Sequence, residues 1–174
     1  MDPPTSDQDI VVRITKSFGA VEFSCPRLKK LVQVTCSRFK VTDATVGVAI
    51  VDDSQIRKLN KRFLNSNRAT DCLSFDLSDG RGTHKSPGTV GGRKAKPATK
   101  CFELVVNGER AAKEAARRGH SAEAELALYT LHSLLHNLGF DDADKGLAGK
   151  MHQMEDDILN EQGYGLVYDA KGER

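Results

Sequence analysis

The spacing of apolar residues along the chain alternates between a period of two and a period near four, and each period predicts a different element. Runs of β-branched and apolar residues, some continuous and some alternating with polar ones, are typical of strands. Four such runs lie at residues 10–14, 44–51, 70–75 and 101–106. The chain is therefore predicted to contain a sheet of about four strands.

Five other segments have apolar residues at helical spacing, and capping residues bound most of them. Pro26 favours a first helical turn, and glycines provide natural C-terminal stops at Gly119, Gly139 and Gly163. The expected helices begin near residue 26, after a cap at Asp53 or Ser54, at Asn107 or Gly108, at Ser121 and near Asp144. About five helices interspersed with four strands predict a single α+β domain with one mixed sheet.

The length of 174 residues suits one domain, and no internal repeat is visible. We predict a disordered N-terminus at residues 1–8, a single domain at 9–165 and a tail at 166–174. No apolar run approaches the roughly 20 residues that a bilayer span requires, so no membrane partner is expected. The first residues are acidic and proline-rich, which favours a cytoplasmic protein without a signal peptide.

The basic residues are concentrated in one segment. The chain has a net charge of +2, yet residues 80–100 carry six basic residues and no acidic ones, together with five glycines and two prolines. This composition favours a flexible insertion, which we place at residues 79–100. Two interpretations stay open: a solvated surface loop, or an electrostatic arm that binds a phosphate backbone.

Two histidines four residues apart provide the strongest chemical signal. His132 and His136 lie on one face of the helix that is predicted to end at Gly139, as two-point metal binding by a helix requires. Gly139 can adopt the left-handed conformation that reverses the chain, so that Asp141 or Asp142 returns toward the imidazoles. Two imidazoles and a carboxylate would hold zinc and leave a fourth position for water, which suits a catalytic metal.

A zinc protease is the first enzyme class to test against this pattern. Its helix has a glutamate directly after the first histidine, where it serves as the general base. Ser133 occupies that position here, so the protease class is disfavoured. The other histidines carry no expected role: His152 is predicted to lie on the surface, and His84 and His120 to lack partners.

Three blocks of the sequence resemble one protein family. The segment LHSLLHNLGFDD at residues 131–142 is similar to the signature His-Gly-x-Leu-His-Leu-x-Gly-Tyr-Asp-His of the YbeY family, the bacterial rRNA maturation factors. Leu59-Asn60 and the run TDCLSF at residues 70–75 resemble the family's Leu-Asn and Thr-Asp-Val-Leu-Ser-Phe, and the tripeptide FEL at 102–104 stands where the family has Gly-Asp-Ile. Downstream, Met151 and Glu155 also stand where the family tends to have them. The order and spacing of these blocks cover about residues 44–162, so the chain is identified as a member of this family.

The resemblance implies a single-strand-specific, metal-dependent endoribonuclease that matures ribosomal RNA, notably the 3′ end of the small-subunit RNA, and acts in ribosome quality control. It implies one Zn²⁺ per chain, with another divalent metal as the alternative, and no nucleotide cofactor. The implied partners are single-stranded RNA and the small ribosomal subunit. Asp142 stands at the position of the family's third histidine ligand, so the implied ligands are His132, His136 and Asp142.

The chain also departs from the family beside the second block. Leu64 stands where the family has an arginine that is thought important for activity. Arg62 and Arg68 are the nearby cations that would replace its charge, unless they lie on a solvated face. Asp71 and Ser74 are expected either to line the cleft beside the metal or to orient a turn and a strand edge by local hydrogen bonds. Arg62, Arg68, Asp71 and Ser74 are therefore the candidate catalytic residues.

Two other functions stay open because of these departures. One is a ribosome- or RNA-binding protein with weakened catalysis and a structural metal, and the other is a metal-dependent hydrolase of a different phosphoester. Aromatic residues make up only 6% of the chain and tryptophan is absent, so a platform that stacks many bases is not expected. Incubation with single-stranded RNA, with and without a chelator, would separate the three functions.

Overall fold

The strands form a single mixed sheet at the positions that the sequence predicts. The computed structural model describes residues 9–78, 99–165 and 167. The strands are β1 (Asp9–Lys16), β2 (Asp43–Val51), β3 (Cys72–Asp76) and β4 (Lys100–Asn107), in the sheet order β1-β2-β4-β3. β1 and β4 both pair with β2 in parallel, whereas β3 pairs with β4 in antiparallel orientation. The predicted α+β class with a mixed sheet is confirmed.

Five helices lie in the described part of the chain, as predicted. They are α1 (Cys25–Arg38), α2 (Asp53–Leu64), α3 (Gly108–Arg118), α4 (Ala122–Asn137) and α5 (Lys145–Glu161). Each begins after a residue whose side chain accepts a hydrogen bond from the first turn. The cap of α2 is Asp52 rather than Asp53 or Ser54, because Asp52 and Gln55 form a reciprocal capping box.

Helix α4 is the central element of the core and positions the histidine pair. Eleven of its 16 residues are buried, and it contacts β3, β4, α1, α3 and α5. A helix that is apolar around most of its circumference needs such cover. The other face of the sheet carries a smaller core, in which Ile56 of α2 packs with residues of β2, β3 and β4. His132 and His136 lie half-buried at the border of α4, so the packing that fixes this helix also fixes them.

Three predicted segments lie wholly or partly outside the described residues. The N-terminal segment 1–8 and residues 79–98 of the basic insertion lie outside them, so their predicted disorder and flexibility stay predictions. Within the predicted tail, Val167 is described and is buried in the main core. No helix within residues 9–78 and 99–165 is long and apolar enough to cross a membrane.

Candidate metal centre

Three acceptor atoms from the end of α4 and the loop after it converge on one point. Nε2 of His132 lies 3.1 Å from Nε2 of His136. Oδ2 of Asp142 lies 3.6 Å and 3.8 Å from these two nitrogens. Within the described residues, this is the one group of three or more potential ligand atoms that all lie within 4.8 Å of one another. The structure therefore brings together the three residues that the sequence predicts as ligands.

The turn that carries Asp142 to the histidines depends on Gly139. Helix α4 ends at Asn137, and Gly139 has a φ of +97°, which residues with a Cβ rarely adopt. The backbone N–H of Phe140 then donates to the carbonyl of Leu135 over 3.0 Å, which folds the chain back onto the last turn of the helix. The predicted chain reversal at this glycine is present.

The two neighbouring aspartates have different surroundings. Oδ1 of Asp141 accepts a hydrogen bond of 3.0 Å from the backbone N–H of Ala143, whereas the carboxylate of Asp142 faces the two imidazoles. The N-cap of α5 is Asp144. Neither Asp141 nor Asp142 is therefore the capping residue of the following helix.

Hydrogen bonds on the far side of each imidazole determine which nitrogen faces the cluster. Nδ1 of His132 lies 2.6 Å from Oε1 of Glu155, and Nδ1 of His136 lies 3.1 Å from the carbonyl of Phe140. An ionised carboxylate and a carbonyl can only accept, so both Nδ1 atoms carry a hydrogen and donate it. In the neutral rings both Nε2 atoms present lone pairs to the cluster, which is the tautomer that a metal ligand needs.

The three ligand atoms of the cluster fit a divalent cation. Two imidazole lone pairs and a carboxylate face one another, and such acceptors repel unless a proton or a cation lies between them. In a tetrahedral zinc site with ligands at about 2.1 Å, the ligand atoms lie about 3.4 Å apart. The observed separations of 3.1, 3.6 and 3.8 Å are close to this value. The carboxylate also makes the site acceptable to harder ions such as Mn²⁺.

Glu155 influences the protonation of His132 as well as its orientation. Burial is the largest single influence on the pKa of His132 and lowers it, but the hydrogen bond and charge of Glu155, with the charges of Asp71 and Asp142, raise the pKa above its ordinary value. Glu155 is fully buried, and its Oε2 has no hydrogen-bond partner among the described residues. A buried carboxylate needs compensating positive charge, which an imidazole bound to a cation supplies.

A cavity of about 330 Å³ opens beside His132, and Asp71 and Tyr129 contribute to its lining. Oδ1 of Asp71 accepts hydrogen bonds from the hydroxyl of Thr70 at 3.0 Å and from the backbone N–H of Cys72 at 2.9 Å. Both expectations for Asp71 are therefore met, because its side chain lines the cleft and also orients the start of β3. Burial is the main reason that the pKa of Tyr129 is raised, so its phenol stays protonated.

Three arginines of α3 line the same cavity. Arg117 and Arg118 both contact the carboxylate of Glu114, at 2.5 Å and 3.5 Å. Arg110 is exposed, and among the residues that the structure describes it forms no ion pair; its guanidinium donates one long hydrogen bond of 3.5 Å to the carbonyl of Ala69. Arg110 is the arginine of this cavity that is available to an anionic ligand.

A second cavity, of about 360 Å³, lies on the His136 side of the cluster. Ser74 lines it together with Leu64, Leu73 and Phe75. The side chain at position 64, where the family has an arginine, is 62% exposed. The structure thus places Ser74 beside the candidate metal centre, in a cavity that His136 and several apolar side chains also line.

In the described part of the chain, the two cations that would replace the family's arginine line neither cavity. The guanidinium carbon of Arg62 lies 5.4 Å from the ring centroid of Phe63. The carbonyl of Arg68 accepts a hydrogen bond of 2.9 Å from the side chain of Asn60. The catalytic role of Arg62 and Arg68 stays a prediction.

Two predictions about the remaining histidines are wrong. His152 is half-buried and lines the first cavity instead of lying on the open surface. His120 has a partner, because its Nε2 makes a short contact with the fully buried carboxylate of Glu125. Arg118 lies 3.4 Å from the same carboxylate, so these three residues join the end of α3 to α4. His84 lies outside the described residues.

No role is predicted from the sequence for Glu155 or Arg110, although Glu155 stands where the family tends to have it. Glu155 follows Met151 by four residues and precedes Leu159 by four, and all three are buried on α5. An acidic residue on an otherwise apolar helix stripe is a signal that a buried partner is present. Arg110 has no comparable signal, because its relation to the histidines depends on how α3 packs against α4.

Comparisons with known proteins match the chain to one family. The family described as Endoribonuclease YbeY matches residues 16–163. The Endoribonuclease YbeY of Caldicellulosiruptor bescii is 36% identical over 118 residues, which are 68% of this chain and 73% of that protein. The corresponding protein of Bacillus licheniformis is 31% identical over 157 residues, 88% of this chain and 96% of that one.

A solved structure is similar in fold. The solution structure of TM1509 from Thermotoga maritima aligns with a TM-score of 0.52 at 22% identity, and the alignment covers 94% of this chain and 100% of that one. The family match spans most of the described residues and includes both histidines and Asp142. The chain belongs to the YbeY endoribonuclease family.

Proposed function

We propose that this protein is a metal-dependent endoribonuclease that cleaves single-stranded RNA at the centre formed by His132, His136 and Asp142. The observation that carries the proposal is the convergence of three acceptor atoms at separations of 3.1 to 3.8 Å beside a cavity that contains Arg110. Relatives named as endoribonucleases support RNA as the substrate.

The biological role follows from the same proposal. The substrate is ribosomal RNA, with cleavage at the 3′ end of the small-subunit RNA, and the protein works on the small ribosomal subunit in maturation and quality control. The site of action is the cytoplasm. The family resemblance supports these assignments, and RNA from cells that lack the protein tests them: small-subunit RNA with an unprocessed 3′ end is the expected result.

Each residue of the proposed active site has a distinct role. His132 and His136 would hold one Zn²⁺ per chain together with Asp142, and such an ion would polarise a phosphoryl oxygen and lower the pKa of bound water. Arg110 binds the phosphate and offsets the charge that develops there during cleavage. Asp71 and Ser74 contact the RNA from the two cavities, and Arg62 and Arg68 supply positive charge outside them.

A binding protein with a structural metal is the second candidate function. The observation that favours it is Leu64, whose exposed apolar side chain lines the cavity beside His136 in place of a cation. Loss of that charge would slow cleavage and leave RNA binding largely intact. The third candidate, a hydrolase of another phosphoester, shares the metal centre and differs in substrate.

One experiment separates the three functions. The purified protein, loaded with Zn²⁺ or Mn²⁺, is incubated with single-stranded RNA, with duplex RNA and with bis-p-nitrophenyl phosphate, each with and without EDTA. Cleavage of the single-stranded RNA alone, abolished by EDTA, is the expected result. Binding without cleavage would indicate the weakened protein, and cleavage of the small diester alone would indicate the other hydrolase.

Asp142→Ala is expected to weaken metal binding, whereas Asp141→Ala is expected to leave it unchanged. Asp142 contributes one of three converging acceptors, while Asp141 is engaged by the backbone of Ala143. Loss of a direct ligand should exceed the roughly 10–100-fold cost that is typical of second-shell changes. Competition with a chromophoric zinc chelator measures both affinities. Weakened metal binding in Asp141→Ala alone would show that Asp141, and not Asp142, is the ligand.

Deletion of residues 80–100 is expected to weaken RNA binding most at low salt. The segment carries six basic residues, and each one that contacts a phosphate of single-stranded RNA contributes about 0.7 to the slope of log K against log salt. The test compares binding by the full chain and the deletion variant across a salt series. An unchanged slope would mean that the segment makes no phosphate contact, and retained metal content would show that the centre is intact.

A further inference from the structure

Exposed apolar side chains are concentrated on the His136 side of the metal centre. The three most exposed large apolar residues of the described chain are Phe63, Leu64 and Leu77, at 55%, 62% and 57%. Phe63 packs edge-on against Phe75, with ring centroids 5.2 Å apart. Leu77 lies two residues beyond Phe75, on the same face of an extended segment. We call Phe63, Leu64, Phe75 and Leu77 the apolar surface.

The apolar surface is continuous with the metal centre. Leu64 and Phe75 line the same cavity as His136, one of the three converging ligands. The first cavity, which contains Arg110, opens on the opposite side beside His132. An RNA strand whose phosphate is bound at the metal would therefore have a cationic wall on one side and an apolar, partly aromatic wall on the other.

Hydrogen-bonding groups of the backbone also face the second cavity. β3 is the last strand of the described sheet, so one of its edges has no neighbouring strand. Asp71 and Leu77 both bond to β4 through their backbones. Bonded positions alternate in an antiparallel pair, so the N–H and carbonyl of Ser74 point away from β4 and toward the free edge. A donor and an acceptor thus lie next to the apolar wall.

A cation lies over the exposed aromatic ring of Phe63. The guanidinium carbon of Arg62 is 5.4 Å from the centroid of Phe63, and Arg62 is exposed. An aromatic face, a neighbouring cation and a backbone donor-acceptor pair together match one nucleotide: the base stacks on the ring, its edge bonds to the backbone, and its phosphate contacts the guanidinium. A purely apolar partner would leave the backbone groups and Arg62 without a match.

From this arrangement we infer that the apolar surface is a subsite for one unstacked nucleobase, adjacent to the cleaved phosphate on the His136 side. The inference rests on the proposed ribonuclease function and adds a physical reason for selectivity toward single strands. A base in a duplex is stacked and paired, so it cannot reach Phe63 and Phe75 without being unpaired. The low aromatic content does not favour a platform for many bases, and one ring pair is enough for a single base.

The test compares Phe63→Ala with wild type in binding and cleavage of single-stranded RNA. Phe63 is more than half exposed, so its truncation is expected to leave folding intact, and Phe63→Tyr keeps the aromatic face. Phe63→Ala is expected to weaken RNA binding about ten-fold, in line with the loss of one stacked base. The loss should appear in KM more than in kcat, and Phe63→Tyr should restore it. Val11→Ala is the matched control, because Val11 is a 41% exposed apolar residue on β1, at the opposite end of the sheet.

A second RNA separates base recognition from backbone recognition. An RNA of the same length with abasic riboses keeps the phosphates and lacks the bases. Wild type and Phe63→Ala are expected to bind this RNA equally, whereas they differ on the intact RNA. Equal affinity of the two proteins for intact RNA would overturn the inference. Failure of wild type to cleave or bind any single-stranded RNA would instead overturn the proposed function.

Discussion

His136→Ala and His132→Ala are each expected to reduce metal content from about one ion per chain to near zero and to abolish RNA cleavage. Each variant removes one of three converging acceptor atoms, and two remaining ligands do not form a stable zinc site. Elemental analysis of the purified proteins measures metal content, and a labelled single-stranded RNA measures activity. His152→Ala is the control for metal content, because His152 lines the cavity without belonging to the cluster.

The two variants are expected to differ in stability. His132→Ala leaves the fully buried carboxylate of Glu155 without its imidazole partner, and removal of one partner from a buried pair costs about 3–5 kcal/mol. His136→Ala loses a bond to the backbone carbonyl of Phe140 and leaves no buried charge. Urea denaturation of the metal-free proteins should therefore show a clearly larger loss for His132→Ala. One equivalent of metal in both variants would show that the ion binds elsewhere.

Glu155→Ala is expected to weaken metal affinity about 10–100-fold, although Glu155 is not itself one of the three converging ligands. Its hydrogen bond to Nδ1 of His132 keeps the ring in the tautomer that presents Nε2 to the cluster. Glu155→Gln retains an oxygen acceptor without the charge, so it should recover part of the loss. Zinc titration against a competing chelator ranks the metal affinities of wild type, Glu155→Ala and Glu155→Gln. Equal affinities would show that Glu155 does not support metal binding.

Glu155→Gln is also expected to change the pKa of His132 in the metal-free protein. Glu155 raises the pKa of His132 against the effect of burial, so in Glu155→Gln the pKa of His132 is expected to fall. A raised pKa in the folded state stabilises the wild type below the unfolded pKa, and that contribution is lost as the pH rises through the folded pKa. The stability advantage of wild type over Glu155→Gln should therefore be greater in mild acid than above neutral pH. NMR titration of the imidazole measures the pKa shift directly.

The prediction of helix starts shows where local sequence is informative and where it is ambiguous. Ser121 and Asp144 were predicted as starts of α4 and α5, and both are the N-caps. For α2 the chain offers three successive candidates, and the local reciprocal bond with Gln55 favours Asp52. Asp53 instead accepts a hydrogen bond from the side chain of Asn107, the cap of α3. That contact depends on how the two helices lie across the sheet, which no nearby residue indicates.

Among the histidines, too, relations within one helix could be predicted and contacts between helices could not. His132 and His136 could be paired from their spacing, because a helix fixes the relation between residues four apart. His120 could not be paired with Glu125, because a turn intervenes and the side-chain directions of α3 and α4 depend on their packing. His152 lies sixteen residues beyond His136 and reaches the cavity only because α5 packs back against α4.

The family resemblance selected Asp142 over Asp141, and the local sequence by itself determined the strands and helices, the histidine pair and the reversal at Gly139. These features depend on the backbone preferences of a few neighbouring residues and on the fixed geometry of one helix and one turn. Only the tertiary structure decided that Glu155 orients His132, that Arg110 lines the adjoining cavity, and that Phe63 and Phe75 meet beside His136. The physical reason is that these contacts join segments brought together by sheet order and helix packing, where many arrangements satisfy the same local pattern and only the packed core selects one.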